Sequence, residues 1–477
     1  MTKSRAFASA LGVLACGSAA LAASAASAQQ SPAASVPPGH FCGGFGGSGA
    51  PVIKPVIYPQ LQFDRSNPGF DCQAWQAFIY LNWPAQTTGP RGTPNPNAKF
   101  GAPGTTVWET YKTLEQTFLP AGADPGPWSG VGPLAGVPQK LAAQAGSGRV
   151  RVLARTSKIS RTAIRNVVHS KIDQAILDSI VQAGGGTLYD QQSVPVYYEI
   201  AMNQDQYNYI QQNGLYNADT QLTFAQKTTI ALPGGATQYG PTGAIEMKAA
   251  WKVLTPAEAK SNRFHTAQAI LVGKSANQPV TVGLVGFHIF QMLGQSNQGI
   301  WATFAQVDNA PVGSGGTQPF TFYNPACQPS PCPVNNEQTN PTQVVQMFPD
   351  DAAAVNVNKN MLAMIRQYNP AAPWQYYKLV NVQWPLTPVA LSSLPIPANE
   401  PLPGGDPNTG PIDKGTLMNA VLETFQQAPG TSCLACHIGA TISPSQSTKP
   451  SPPPQNASSY SFMFGYAQSP AAAKPKP

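Results

Sequence analysis

Residues 279–293, PVTVGLVGFHIFQML, contain no Asp, Glu, Lys or Arg and are rich in β-branched and aromatic residues. A run of this composition predicts a buried strand at 279–292. Comparable runs on both sides of it along the chain predict further strands. The flanking strands are predicted at 194–202, 243–254, 266–273, 299–307 and 373–385.

The sequence contains fewer helical patterns than strand patterns. Residues 72–83, CQAWQAFIYLNW, place Trp75, Phe78, Ile79 and Leu81 at near-helical spacing. The predicted fold class is therefore α+β, a large, mainly antiparallel body with peripheral helices, followed by a short helical C-terminal segment. The other predicted helices lie at 158–184, 204–214 and 415–430, where Leu417, Val421 and Phe425 share one face.

The composition favours a loop-rich body rather than a helical bundle, because 43 Gly and 49 Pro stand among 477 residues and only 10% are charged. Changes in composition along the chain divide it into segments. These are a signal peptide (1–28), a Pro/Gly-rich linker (29–70), the α+β body (71–395), a second linker (396–411), a C-terminal segment with its own motif (412–466) and a disordered tail (467–477).

The N-terminus is typical of a secretory signal peptide. Lys3 and Arg5 precede an apolar stretch, and Ala26-Ser27-Ala28 forms a small-residue cleavage site. Cleavage near Ala28 predicts a periplasmic or secreted bacterial protein, and losing the two cations lowers the net charge from +7 to +5. The alternative is lipoprotein processing at Cys16. No later run is long and apolar enough to predict a membrane span.

Four of the seven cysteines are candidates for disulfides in an oxidising compartment: Cys42, Cys72, Cys327 and Cys332. Cys327 and Cys332 flank a short turn-rich QPSP segment, which favours a local bridge between them. Cys42 and Cys72 would then form the second bridge. Three pairings are open, and unpaired buried thiols are the alternative.

Residues 431–440, TSCLACHIGA, contain the C-x-x-C-H pattern of covalent haem attachment. Two thiols on one helical turn can each bond to one vinyl group of a single haem c, here Cys433 and Cys436. The next residue, His437, then becomes the proximal iron ligand. A thioredoxin-like pair would need a preceding strand and a longer helix, and a zinc site would need a second ligand pair.

The sequence does not decide which residue would be the second axial ligand of the haem iron. Met463 is a candidate because it lies in SYSFMFGYA, an apolar island within a Ser/Pro-rich tail. A thioether ligand raises the reduction potential of haem iron. The alternative is His288, which lies in the middle of the apolar strand predicted at 279–292, although a hydrogen-bonded core histidine is the commoner role there. Further candidates are Met418 and His265, and an open or water-filled position also fits.

A basic cluster suggests a partner surface. Seven cations fall in an acid-free stretch, which indicates a docking surface for an acidic redox partner, a partner for a haem propionate, or a solvated helix face. Export and the small net charge argue against nucleic acid. The acids Glu109, Glu199, Glu246 and Asp308 show no spacing typical of an acid/base pair. The cations are Arg149, Arg151, Arg155, Lys158, Arg161, Arg165 and Lys171.

Several stretches together resemble the exported bacterial "cytochrome c family protein" group. They are WQAFIYLNWPA (75–85), VWETYK (107–112), IEMKAAWKVL (245–254), VGFHIFQ (285–291), IWATFAQVDNAP (300–311), YYKLVNVQWP (376–385) and LMNAVLETFQQAPGTSCLACHIGA (417–440). The resemblance implies one covalent haem c on Cys433, Cys436 and His437, and it implies no established reaction. The G-x-H-I pattern around His288 looks typical of the group, whereas Met418 and Met463 stand where other apolar residues are common.

The leading hypothesis is an exported monohaem c-type cytochrome that transfers electrons, rather than a substrate-converting enzyme. One alternative is a haem-dependent oxidoreductase with an open axial site or a substrate pocket in the body. Another is a binding module in which the haem senses or stabilises. A low-spin, six-coordinate spectrum favours electron transfer, whereas a high-spin spectrum with fast CO binding favours the enzyme.

Overall fold

The segment at 279–293 lies at the centre of a curled, mixed sheet of eight strands. Strands β1 to β8 are Lys112–Thr113, Val150–Leu153, Tyr197–Met202, Ile245–Val253, Thr266–Leu271, Val280–Gln291, Ile300–Gln306 and Tyr377–Gln383. The fold is α+β, as predicted. The computed structural model describes residues 53–63, 66–130, 150–153, 186–228, 230–272, 279–294, 299–313, 316–327, 332–384, 417–437, 440, 442–443 and 458–470.

Strand β6 is long enough to pair with three neighbours. One edge pairs with β4 along most of its length. The other edge pairs with β5 near the start of β6 and with β7 near its end. The sheet therefore branches at β6 into β5–β2 and β7–β8, while β4 continues to β3 and β1. All pairs are antiparallel except β2–β5.

Two helices cover one face of the sheet. Helix α1 (Asn67–Leu81) begins after Ser66, whose side chain accepts a hydrogen bond from Gly69 N. It places Phe78 against Phe304 and Phe287, with ring centroids 4.2 and 6.1 Å apart. Helix α6 (Ala352–Tyr368) packs beside α1 and against β8. The α-helices in the described ranges are α1 to α7: Asn67–Leu81, Leu114–Thr117, Gln204–Gln212, Ala218–Ala225, Pro256–Lys260, Ala352–Tyr368 and Cys433–His437.

The C-terminal cover, defined as the described residues between 417 and 470, lies on the other face. Asn419 donates hydrogen bonds to Thr303 Oγ1 and Phe304 O of β7, both at 2.9 Å. Gln383 of β8 bonds to Ser432 and Leu434. A Cβ atom at Gly286 would come within 2.8 Å of Val421, so the absence of a side chain at Gly286 lets the cover approach β6.

Six of the eight strands were predicted, and one predicted C-terminal helix is wrong. Each strand predicted at 194–202, 243–254, 266–273, 279–292, 299–307 and 373–385 contains an observed strand, and the predictions at 72–83 and 204–214 overlap α1 and α3. Strands β1 and β2 were not predicted. The helix predicted at 415–430 is wrong for its described part, 417–430, which forms turns and a short 3-10 helix at Thr424–Gln426. Helix α6 was not predicted. The helix predicted at 158–184 lies outside the described residues.

Cysteine pairing follows the prediction where the structure describes it. Cys327 and Cys332 form a disulfide. Cys72 is also disulfide-bonded, while its predicted partner, Cys42, lies outside the described residues. No helix in the described part of the chain combines the length and apolar character needed to span a bilayer.

Candidate functional site

A cavity lies between the sheet and the C-terminal cover. The space between the cavity walls, including the part open to solvent, is about 1030 Å³. The pairing register sets Ile200, Lys248 and His288 side by side across three strands, so their side chains share the cavity face. Much of the remaining wall is apolar and includes Phe290, Trp301, Leu417, Met418, Phe462 and Tyr466.

The thiols of Cys433 and Cys436, the two free cysteines among the described residues, lie in the cavity wall on the five-residue helix α7. The first turn of α7 is attached to the sheet by a hydrogen bond, because Leu434 N donates to Gln383 Oε1 of β8 at 2.8 Å. Burial raises the pKa of Cys433 well above its ordinary value and that of Cys436 to about 12. The thiols are therefore protonated at neutral pH, unlike the activated thiolate of a dithiol redox pair.

His437 also lines the cavity, and one of its ring nitrogens is already engaged. Its Nδ1 lies 2.7 Å from the carbonyl oxygen of Tyr460. Ser459 and Tyr460 have φ values of 51° and 65°, which form a left-handed turn. This turn directs the Tyr460 carbonyl towards the His437 ring. The imidazole is flanked by Trp301 and Phe462, with ring centroids 4.3 and 5.0 Å away.

Burial lowers the pKa of His437 to about 4, so the ring is neutral at pH 7. In the neutral ring, the proton on Nδ1 is donated to the Tyr460 carbonyl. The lone pair of Nε2 is then available to a metal. His437 thus has the tautomer and orientation expected of a proximal haem ligand.

The structure brings Met463 to the same cavity. Met463 is 1% exposed and belongs to the 3-10 helix Phe462–Tyr466. Its sulfur accepts a hydrogen bond from Gln206 Nε2 at 3.4 Å. Gln206 Nε2 also donates to Glu246 Oε2 at 3.1 Å, and Ser461 Oγ donates to the same carboxylate oxygen at 2.6 Å. Burial raises the pKa of Glu246 above its ordinary value.

His288 lines the cavity as well, but its Nε2 is paired with Glu423 Oε1 at 2.9 Å. Its Nδ1 is buried and has no hydrogen-bond partner in the described parts of the chain. Lys248 lies directly across from His288 in the β4–β6 register. Burial lowers the pKa of Lys248, an effect opposed by the charges of Glu423 and Glu246.

Of the two further axial candidates, Met418 lines the cavity and His265 does not. His265 packs in the core, where its ring stacks on Trp374 with centroids 4.7 Å apart. Its Nε2 lies 3.2 Å from Glu109 Oε2. The structure therefore places His265 in a buried charged cluster rather than near the cysteines.

Arg151 belongs to that same buried cluster. Its guanidinium donates to both carboxylate oxygens of Glu199 and lies 3.4 Å from Glu109 Oε1. It also stacks over the rings of Trp108 and Trp251, at 5.0 and 5.6 Å. Arg151 is thus neither a docking residue nor a cavity residue. The other six cations of the predicted basic cluster lie outside the described residues.

Sequence reasoning missed the cavity residues Lys248, Trp301 and Glu423 and considered Glu246 only as an acid/base group. It also missed Gln206, which bonds to Met463 and Glu246 of the cavity wall. Strand β4 alternates Glu246 and Lys248 with apolar Met247 and Ala249. This alternation is a signal that one face of a central strand is polar. Nothing local in the sequence marks Gln206 or Glu423 as site residues, because the ligand candidates that they contact, Met463 and His288, are 257 and 135 residues away.

The residues present fit a covalently attached haem. In the described part of the chain, no group of three or more His, Cys, Asp or Glu could hold a bare metal ion. Haem iron does not need such a group, because the porphyrin supplies four nitrogens. Comparison of the chain with protein-family models, curated proteins and solved structures gives no match. The resemblance to the cytochrome c family stays a prediction.

Proposed function

We propose that this protein is an exported monohaem c-type cytochrome of the cytochrome c family and that it transfers electrons through one covalent haem c. One observation carries the proposal. Two half-buried thiols and a histidine oriented by the Tyr460 carbonyl line the same largely apolar cavity. Cys433 and Cys436 would form the thioether links, and His437 would bind the iron.

A bound haem supplies an iron that changes between the ferrous and ferric states. The protein supplies orientation and insulation. Gln383 and Ser432 hold the start of helix α7, which sets the two thiols against the cavity. The Tyr460 carbonyl keeps the His437 ring from rotating, and the surrounding aromatic side chains limit the access of water.

The alternatives for a C-x-x-C pair have less support. A dithiol redox pair needs a thiol with a lowered pKa, whereas burial raises both pKa values at this site. A structural zinc site needs four nitrogen or sulfur ligands, and the described parts of the chain offer no such group.

A haem-dependent oxidoreductase is the second candidate function, and one observation favours it. Lys248, His288, Glu423 and Glu246 bring ionisable side chains to the cavity, which a site that only transfers electrons does not require. Rapid CO binding by the reduced wild-type protein, with a high-spin ferric spectrum, would support this candidate over electron transfer.

The proposal extends to the cell compartment and to partners. A signal peptide ending near Ala28 would deliver the chain to the periplasm or the medium. The mature chain would carry a net charge of +5 without Lys3 and Arg5, which suits an acidic redox partner protein. We propose neither nucleic acid nor a membrane-spanning segment as part of its function.

The test is production in a bacterial host that attaches haem c, followed by intact mass and absorption spectra. We expect a coloured protein whose mass exceeds that of the polypeptide by one haem. The Cys433→Ala, Cys436→Ala double variant should lose this added mass. The Cys327→Ala, Cys332→Ala double variant removes two cysteines elsewhere and should retain it. A colourless wild type with the bare polypeptide mass would refute the proposal.

A further inference from the structure

A closed ring of hydrogen bonds surrounds Met463 in the cavity. Gln206 Nε2 donates to the thioether sulfur at 3.4 Å and to Glu246 Oε2 at 3.1 Å. Ser461 Oγ donates to the same carboxylate oxygen at 2.6 Å and accepts from Met463 N at 3.2 Å. Both the backbone and the sulfur of Met463 are therefore fixed by polar groups.

Holding Met463 with buried polar groups costs more free energy than a residue that only fills a core requires. Methionine usually packs as a flexible apolar side chain, and its sulfur is a weak hydrogen-bond acceptor. Here a buried carboxylate anchors the amide that bonds to the sulfur. The amide oxygen of Gln206, Oε1, is itself buried without a partner in the described ranges. Buried polar groups left unsatisfied in this way often mark a functional constraint.

The same short segment also controls His437. Tyr460 orients the His437 ring through its carbonyl, and Met463 follows three residues later. The competing ligand, His288, has its Nε2 paired with Glu423 at 2.9 Å. The Met463 sulfur has two lone pairs, and the hydrogen bond from Gln206 uses one of them. The other lone pair is available to a metal in the cavity.

We infer that Gln206, Glu246 and Ser461 are positioning residues that present the Met463 sulfur as the second haem ligand and that the Gln206 N–H raises the reduction potential. The inference rests on the proposed function. An N–H donor withdraws electron density from the sulfur, which weakens its donation to iron. Weaker donation destabilises the ferric state more than the ferrous state.

The test uses haem-loaded wild type with three variants: Met463→Leu, Gln206→Leu and, as a matched control, Met418→Leu at the other cavity methionine. The readouts are the near-infrared sulfur–iron band of the oxidised protein, CO binding by the reduced protein, and the reduction potential. Met463→Leu should keep the covalent haem, lose the band and bind CO. Met418→Leu should match wild type in all three.

Gln206→Leu should keep the covalent haem and the band, because the sulfur remains. We expect its reduction equilibrium to shift roughly three- to tenfold towards the ferric form, a fall of about 30–60 mV at 59 mV per tenfold. A purely structural role for Gln206 would change stability and leave the potential unchanged. This variant also keeps the inference testable if Met463→Leu does not accumulate.

The outcomes separate this inference from the proposed function. Haem-loaded wild type without a sulfur–iron band overturns the inference alone, as does a Met463→Leu variant that retains the band. An unchanged potential in Gln206→Leu overturns the tuning role. Wild type without covalent haem overturns the proposed function, and the inference fails with it.

Discussion

Gln383→Leu should loosen the haem-attachment helix without unfolding the body. Gln383 is fully buried at the end of β8. Its Oε1 accepts from Leu434 N at 2.8 Å, and its Nε2 donates to Ser432 Oγ at 3.1 Å. A strand side chain thereby satisfies a first-turn N–H of α7, which has no acceptor within its own helix. Leucine has a similar size but forms neither bond.

The Gln383→Leu variant should lose about 2–4 kcal/mol of the free energy that holds α7 against the sheet. Leaving the buried Leu434 N–H without an acceptor costs roughly 1–3 kcal/mol, and losing the bond to Ser432 costs about 1 kcal/mol more. Because these bonds hold only α7 to the sheet, the cost should appear as easier local opening. At a factor of ten for each 1.4 kcal/mol, the amides of residues 434–437 should exchange roughly 30- to 700-fold faster.

The assay is native-state hydrogen exchange read by mass spectrometry, with Gln76→Leu as the matched control. Gln76 is also a buried glutamine whose amide donates two bonds, to the carbonyls of Lys54 and Val56. The control should speed exchange near residues 54–56 and leave 434–437 unchanged. If Gln383→Leu leaves the exchange of 434–437 at the wild-type rate, the hydrogen bonds do not hold α7 in place and the reasoning is refuted.

Three further predictions concern the body and the approach of the cover. Arg151→Leu removes the ion-pair partner of the buried Glu199 carboxylate, while Glu109 keeps His265, and should lower the free energy of unfolding in urea by about 3–5 kcal/mol; a loss below 1 kcal/mol would contradict this. Burial raises the pKa of Glu109, but His265 and Arg151 outweigh it and lower the pKa from 4.5 to about 2. A depressed pKa stabilises the fold above pH 4.5, so about 3 kcal/mol should be lost as the pH falls from 4.5 towards 2, and Glu109→Gln should lack this part of the pH profile. Gly286→Ala forces a Cβ to 2.8 Å from Val421 and should cost about 1–3 kcal/mol in thermal unfolding, with faster exchange at 417–423 as its signature.

Six of the eight strands could be predicted because their composition is locally distinctive, whereas the short strands β1 and β2 were not predicted. Runs such as 279–293 and 243–254 are too apolar and too β-branched for loops, and β6 and β4 fall inside them. The helix prediction at 415–430 failed because local bonds compete with helical ones. Asn419 accepts from Val421 N and donates to β7, and Glu423 accepts from Asn419 N.

Helix α6 was missed although its signals are present. Asp351 accepts hydrogen bonds from Ala353 N and Ala354 N as an N-cap. Val357, Met361 and Ile365 then recur every four residues and are buried. The adjacent Asn and Lys residues dilute this pattern, which becomes clear only when the helix packs against α1 and β8.

The sequence by itself determined six of the eight strands and the C-x-x-C-H motif, because composition and short spacing are local properties. It also suggested Met463 and His288 as ligand candidates, without deciding between them. Only the tertiary structure placed the Gln206 amide on the Met463 sulfur, 257 residues away in the chain. It likewise paired His288 with Glu423 and the Tyr460 carbonyl with His437. These contacts depend on strand register and on where the cover docks, and both are set by the burial of the whole sheet rather than by any local pattern.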